Sequence, residues 1–306
     1  VADLVIGAPG AVAGQGEVSV VAGGGTLTGS RELTAAIKAA AILGAGLTDG
    51  LGVAADVGDA GGSAAPDLIV GSAAHSPANG GARAGGAWLL FGPLTGTYDL
   101  GAVPAQWDAR WLGAGIRDGL GGSVAIAQVE GTAAGDVIIG NTGFRPGGGA
   151  TRVGAVEIFL GPIAAASDFD EALGAAPDTR FQGEDVGDGF GHCIRTADLN
   201  NDGFADIVTA NPVTLGDDDS QLQAGETVAV LGGDTLADAQ VGPMVAPLII
   251  YQNAAVSRAC IYRFALSTGD LNGDGRPDIC TGAPFATEAG FPTPQAGRVD
   301  CLSNPY

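Results

Sequence analysis

Lysine is almost absent from this sequence. Lys38 is the only one, and the 13 basic residues face 34 acidic ones for a formal charge of -21. Such a field repels phosphate backbones and anionic membrane surfaces, so nucleic acid is excluded as a partner class, while metal cations and a salty medium suit it. Long apolar runs are missing too. No stretch approaches the roughly 18–20 unbroken apolar residues of a membrane span, so this segment is not expected to insert in a membrane. Histidine is limited to His75 and His192. His192 falls in an expected strand and reads as structural; His75 falls in a loop and reads as solvated. No G-x-S-x-G elbow or dinucleotide fingerprint occurs, and no D-x-S-x-S adhesion motif. No catalytic residues are assigned, and the chain reads as a non-enzyme. The four cysteines match no zinc spacing and permit three pairings. No leader precedes Val1, where the sequence opens as if in mid-strand, so a processed or trimmed start is expected.

What is abundant is glycine, 54 of 306 residues, and it recurs in register. Asp3-Leu-Val-Ile-Gly, Asp67-Leu-Ile-Val-Gly, Asp136-Val-Ile-Ile-Gly, Asp206-Ile-Val-Thr-Ala and Asp278-Ile-Cys-Thr-Gly are spaced 64, 69, 70 and 72 residues apart. The 19-residue blocks 49–67, 118–136 and 188–206 align without a gap, and 260–278 fits the same frame with its opening Asp-Gly replaced by Cys260-Ile261. A glycine-led apolar run follows each, as in "GAWLLFG" and "GAVEIFLG". Every unit therefore reads as four short strands: one after the Asp-Gly turn, the aspartate-led run, the glycine-led run, and one before the next Asp-Gly turn. No segment sustains a helical period. Four-strand units of this length, apolar on both faces, call for an all-β β-propeller of four-stranded antiparallel blades. A parallel β-helix would repeat about every 20–25 residues and is rejected. The whole chain, 1–306, is read as one propeller domain, with blades at approximately 1–46, 47–115, 116–184, 185–252 and 253–306. The first lacks its opening strand and the last its fourth.

Two of the loops between first and second strands are rich in oxygen. Asp198, Asn200, Asp202 and Asp206, with the Phe204 carbonyl, repeat as Asp270, Asn272, Asp274 and Asp278 with the Arg276 carbonyl. Oxygens at positions 1, 3, 5, 7 and 9, with glycine at 6 for the bend, suit a hard cation. Calcium, with six to eight oxygen ligands, fits such a mixed shell better than magnesium. An EF-hand is excluded, because position 12 is Thr209 or Thr281 and the flanks are strands. A sparser third donor set comprises Asp59, the Gly61 carbonyl, Ser63 and Asp67. The copy at 128–136, with Gln128, Glu130, Thr132 and Asp136, is not expected to hold a strong site.

With Phe190-Gly191, its variants Leu51-Gly52 and Leu120-Gly121, and Gly7-Ala8-Pro9 and Gly282-Ala283-Pro284, the chain resembles the FG-GAP repeats of the integrin α-subunit N-terminal β-propeller. That resemblance implies a calcium-stabilised extracellular propeller working in adhesion or ligand recognition. The family's propeller is usually seven-bladed. Five blades are countable here, so the chain is expected to be part of a longer one or to lack closing strands. A carbohydrate-binding propeller, or an accessory propeller of a secreted hydrolase, is the alternative. A protein or glycan ligand is expected on the loops after each second strand, opposite the calcium loops, with Arg83, Phe144, Arg145, Phe285 and Phe291 as contact residues. If Ala283 faces Arg298, then Cys280 faces Cys301, and a Cys280–Cys301 disulfide follows, leaving Cys193–Cys260; both suit an oxidising compartment.

Overall fold

A computed structural model of the chain describes residues 3–24, 32–35, 37–63, 65–184, 186–187, 189–211, 226–234, 236, 239–240, 248–252, 266–283 and 298–303. Among these the chain is all-β, with three one-turn 3₁₀ segments and no α-helix. The strands fall into five sheets, in the order of the five sequence repeats.

The fold divides into two compact units. One comprises residues 1–124 with 163–176, the other 125–162 with 177–306. In the first unit, β1 (Leu4–Ala8), β2 (Glu17–Val21) and β3 (Ala40–Leu43) form an antiparallel meander. The next repeat supplies β4 (Ala54–Gly58), β5 (Asp67–Ser72), β6 (Gly86–Leu90) and β8 (Ala109–Leu112), again antiparallel. β9 (Leu120–Ala127) begins in the first unit and ends in the second. It joins β10 (Asp136–Asn141), β11 (Ala155–Phe159) and β13 (Thr179–Gln182) in the third sheet. The fourth sheet contains β14 (Ile194–Ala197), β15 (Asp206–Asn211), β16 (Glu226–Val230) and β18 (Leu248–Gln252). The last holds β19 (Leu266–Gly269), β20 (Asp278–Ala283) and β21 (Arg298–Leu302).

The four-strand reading needs one correction. The first three sheets carry an extra outer strand that runs parallel to the repeat's last strand. It is β7 (Gly96–Asp99) on β3, β12 (Ser167–Asp170) on β8, and β17 (Ala239–Gln240) on β13. Each comes from the connection between the third and fourth strands of the following repeat. An outer strand otherwise presents a row of unpaired N–H and C=O groups, and a borrowed strand covers it. These segments are two to four residues long and mostly polar, with no alternation to announce them.

The inner strands bury both faces. Every residue of β5, β6, β10 and β11 is buried, which is why they read as unbroken apolar runs rather than alternating ones. In the first unit Val18, Ile42, Leu51, Val70 and Trp88 share a core; in the second Ile138, Val156, Ile158, Phe190 and Val228 do the same. Each large aliphatic or aromatic side chain so buried contributes roughly 1.5–3 kcal/mol.

The Phe-Gly and Gly-Ala-Pro signatures, distant in sequence, meet in the fold. Leu51, Leu120 and Phe190 each form a parallel bridge to the glycine before a third strand, namely Gly16, Gly85 and Gly154. The glycine that follows each of them presses on the second strand of the preceding repeat. A Cβ added at Gly7 would lie 2.1 Å from the Gly52 carbonyl oxygen, and one at Gly71 2.1 Å from that of Gly121. Gly52 and Gly121 themselves sit at φ 90° and 77°, where a side chain is strained. The pairing of motifs is thus a steric requirement between adjacent repeats.

Cys280 pairs with Cys301 across β20 and β21, in the register that sets Ala283 opposite Arg298, and the two are disulfide-bonded. Cys193 is fully buried and also disulfide-bonded. Its expected partner, Cys260, lies outside the described residues.

Candidate metal loops

The two oxygen-rich loops join β14 to β15 and β19 to β20, and they fold alike. In the first, Asp198 accepts hydrogen bonds from the backbone N–H of Asp202 (3.1 Å) and Gly203 (3.0 Å). Asn200 accepts from the Asp202 N–H at 3.0 Å through Oδ1 and donates to the Asp202 carboxylate at 2.9 Å. Asp202 accepts from the Phe204 N–H at 2.9 Å. In the second loop Asp270 accepts from Gly273 (2.7 Å) and Gly275 (2.9 Å). Asn272 spans both sides of Asp274 at 2.8 Å, and Asp274 accepts from Arg276 at 2.9 Å. Positions 4 and 6 lie in the left-handed region, at φ 57° and 94° for Asn201 and Gly203, and 81° and 86° for Gly273 and Gly275. Asparagine and glycine are the residues that tolerate it.

Position 9 has a role that sequence reasoning missed. Asp206 is fully buried at the start of β15 and accepts from the N–H of Leu199 (2.7 Å) and of Gly232 (2.8 Å). Contacts of the same kind recur in the other repeats, including the one at 128–136 where no strong metal site is expected. Asp136 accepts from Val129 (2.9 Å), Glu130 (3.1 Å) and Gly161 (2.9 Å). Asp67 accepts from Ala60 (3.0 Å), Gly61 (2.8 Å) and Gly92 (3.1 Å). Asp278 accepts from Leu271 at 2.9 Å, and Asp3 from Gly23 at 2.7 Å. At Asp67, Asp136 and Asp206 one carboxylate thus ties the loop before the second strand to the glycine after the third, while Asp278 makes the loop contact and Asp3 the glycine contact. The signal was present in the sequence: the strand-leading aspartate occurs in all five repeats, whereas the rest of the oxygen set occurs in two.

Among the described residues no three Asp, Glu, His or Cys side chains form a ready-made metal cage. The donor chemistry of the two loops nevertheless suits a hard cation. Each offers carboxylate and amide oxygens at positions 1, 3 and 5, and each carboxylate oxygen that accepts one N–H keeps a second lone pair. Burial pushes the Asp206 carboxyl up to about 6, against its two backbone hydrogen bonds and with the charges of Asp202 and Asp198 adding to the rise. Three carboxylates crowded this way repel one another, and a divalent cation would offset that repulsion.

In the sparser loop Asp59 accepts from the Ser63 N–H at 3.0 Å and the Ser63 hydroxyl from Ala65 at 3.3 Å. Gly61 donates its N–H to Asp67. In the loop at 128–136, Glu130 accepts from Leu236 at 2.8 Å and the Gln128 amide donates to the Thr132 carbonyl, so its polar groups are engaged within the protein.

The expected ligand-contact residues that are described come from two repeats. Arg83 is exposed at φ 57°, its N–H bonded to Ser76 at 3.0 Å. Its loop lies beside the turn after the fourth strand, through Arg117 to Ala82 and Gly119 to Arg83 backbone bonds. Phe144 lies under the Arg180 guanidinium at 4.3 Å, while Arg180 reaches the fully buried Glu157 at 3.1 Å. Arg145 is half-buried at the start of a 3₁₀ turn. Phe285 and Phe291 lie outside the described residues. His75 is not solvated as expected. Its Nδ1 meets the Asp49 carboxylate at 2.8 Å and its ring stands edge-on to Trp88 at 5.1 Å.

Residues 263–300 match the family model of the FG-GAP repeat. Over 117 residues the chain is 34% identical to integrin alpha-7 of Mus musculus and 32% identical to integrin alpha-7 of Homo sapiens. Over 105 residues it is 34% identical to integrin alpha-3 of Mus musculus. The alpha-7 matches cover 38% of this chain and the alpha-3 match 34%, and each spans only 9% of the relative's own length. In its repeat and its paired Phe-Gly and Gly-Ala-Pro signatures, the chain is similar to the FG-GAP repeats and to part of the integrin alpha-7 and alpha-3 chains.

Proposed function

We propose that the chain is an extracellular, non-catalytic recognition or adhesion domain whose five sheets are blades of a β-propeller and whose loops at 198–206 and 270–278 bind calcium. The observation that carries this reading is the loops' closely similar internal bonding, with Asp, Asn and Asp at positions 1, 3 and 5 making corresponding contacts in two separate repeats. A bound cation would join oxygens at positions 1, 3, 5 and 9 and the carbonyls of Phe204 and Arg276, and so fasten the first strand of a blade to its second. Asp59, Ser63 and Asp67, with the Gly61 carbonyl, would form a third and sparser set. The ligand is a protein or glycan surface met by the loops after the second strands, among them those bearing Arg83, Phe144 and Arg145. Disulfide bonding at Cys280–Cys301 supports an oxidising, extracellular setting.

A ligand held only by the folded state stabilises it by about 2.7 kcal/mol at a hundredfold excess over Kd. Millimolar calcium is therefore expected to raise the melting temperature over that in chelator, and Asp198→Asn with Asp270→Asn to abolish most of the increment. Equal melting temperatures would remove the calcium sites. For the adhesive role, cells plated on the immobilised domain are expected to attach in calcium and to detach in chelator; attachment indifferent to chelator refutes it.

A further inference from the structure

The first unit contains a cleft of about 360 Å³ that the repeat does not explain. Volumes of this size fall within the range of about 300–1,000 Å³ typical of small-ligand sites. It is lined by His75, Asn79, Trp88, Trp107, Arg110 and Asp170 among others. Trp107 also lines an adjoining cleft of about 410 Å³ beside Tyr98. All three tryptophans of the chain, Trp88, Trp107 and Trp111, belong to this one repeat. Its tryptophan lining is thus particular to this repeat.

Its polar groups are set in place by the protein. The Arg110 guanidinium stands 4.8 Å from the centre of the Trp107 ring and is gripped by Asp168 through two bonds of 2.8 and 2.7 Å. Asp170, only 3% exposed, accepts from Asn79 and from the Ala172 N–H, each at 3.0 Å. His75 is held by Asp49 through Nδ1, which leaves Nε2 as the nitrogen not engaged there.

We infer that this cleft binds a neutral saccharide. Arg110 is paired with Asp168, His75 is hydrogen-bonded to Asp49, and the chain as a whole carries -21. An anionic ligand is disfavoured by that field. What remains on offer is an indole wall with fixed amide, carboxylate and imidazole groups beside it. A sugar ring answers both, with an apolar C–H face for the indole and hydroxyls that donate and accept in the plane of the side chains. Two adjoining clefts sharing Trp107 suit an oligomer over a single ring. The inference does not depend on calcium or on adhesion.

The test is an array of neutral hexose and N-acetylhexosamine oligomers probed with the intact chain, followed by titration of the best binder with tryptophan fluorescence as the readout. Trp107→Ala is expected to weaken binding on the order of thirtyfold or more, and Asn79→Ala, at an exposed position, about tenfold. Binding to no neutral oligomer overturns the proposal. Preference for sialylated or sulfated glycans, or for peptides alone, overturns it as well. Undiminished affinity in Asn79→Ala does so even if Trp107→Ala fails to fold.

Discussion

Replacing Asp136 by alanine tests the carboxylate clamp in the repeat where no strong metal site is expected. The side chain is fully buried and accepts from three backbone N–H groups, at 2.9, 3.1 and 2.9 Å. Alanine leaves all three donors without that acceptor, in a pocket it does not fill. Each buried donor left unsatisfied costs about 1–3 kcal/mol, and the desolvation no longer suffered by the carboxylate offsets part of the sum. A net loss of roughly 3–5 kcal/mol follows, or about 5–8 °C in a domain of this size. Asp136→Asn should fall between, since one amide oxygen can serve either Gly161 or the pair Val129 and Glu130, while the NH₂ group must face a donor on the other side. Thermal and urea melts should show the same ordering with calcium and with chelator. A loss under about 2 °C for alanine, or an effect present only in calcium, would refute the clamp.

Gly71→Ala should be costly although φ there is unexceptional, because the new Cβ would lie 2.1 Å from the Gly121 carbonyl oxygen. A loss of about 3 kcal/mol is expected, and a melt within about 2 °C of the parent would show that the adjacent repeats yield easily. The raised Asp206 carboxyl, at about 6 against 3.8, has a defined sign in chelator. Its contribution is fully present below about pH 4 and is lost as pH rises through about 6. Asp206→Asn should flatten that dependence between pH 4 and 7, and an unchanged slope would dismiss the raised value.

The register of the repeat, the strands and the Cys280–Cys301 pair were legible in the sequence, because glycine, aspartate and paired cysteines answer to local backbone geometry. Alignment also places Ala210 where Gly7, Gly71 and Gly140 stand, in the one repeat followed by Cys260-Ile261 and by Arg263 in place of the second motif glycine. The steric partner and the glycine change together, which becomes intelligible once the two glycines are seen to touch. The borrowed outer strands were not legible. Their pairing is with the backbone of another repeat, and backbone hydrogen bonds leave little mark on side-chain choice. His75 was misread for a similar reason, since its partners Asp49 and Trp88 come from other strands and turns.

The sequence by itself determined the repeat, its β character and the composition of the oxygen-rich loops, all properties carried by residues near one another in the chain. Only the tertiary structure decided that the strand-leading aspartates bind backbone, that each motif glycine abuts the next repeat, and that Trp107, Arg110 and Asp170 border one cleft. Those depend on which atoms the fold brings within hydrogen-bonding or van der Waals distance, and sequence spacing does not specify that distance.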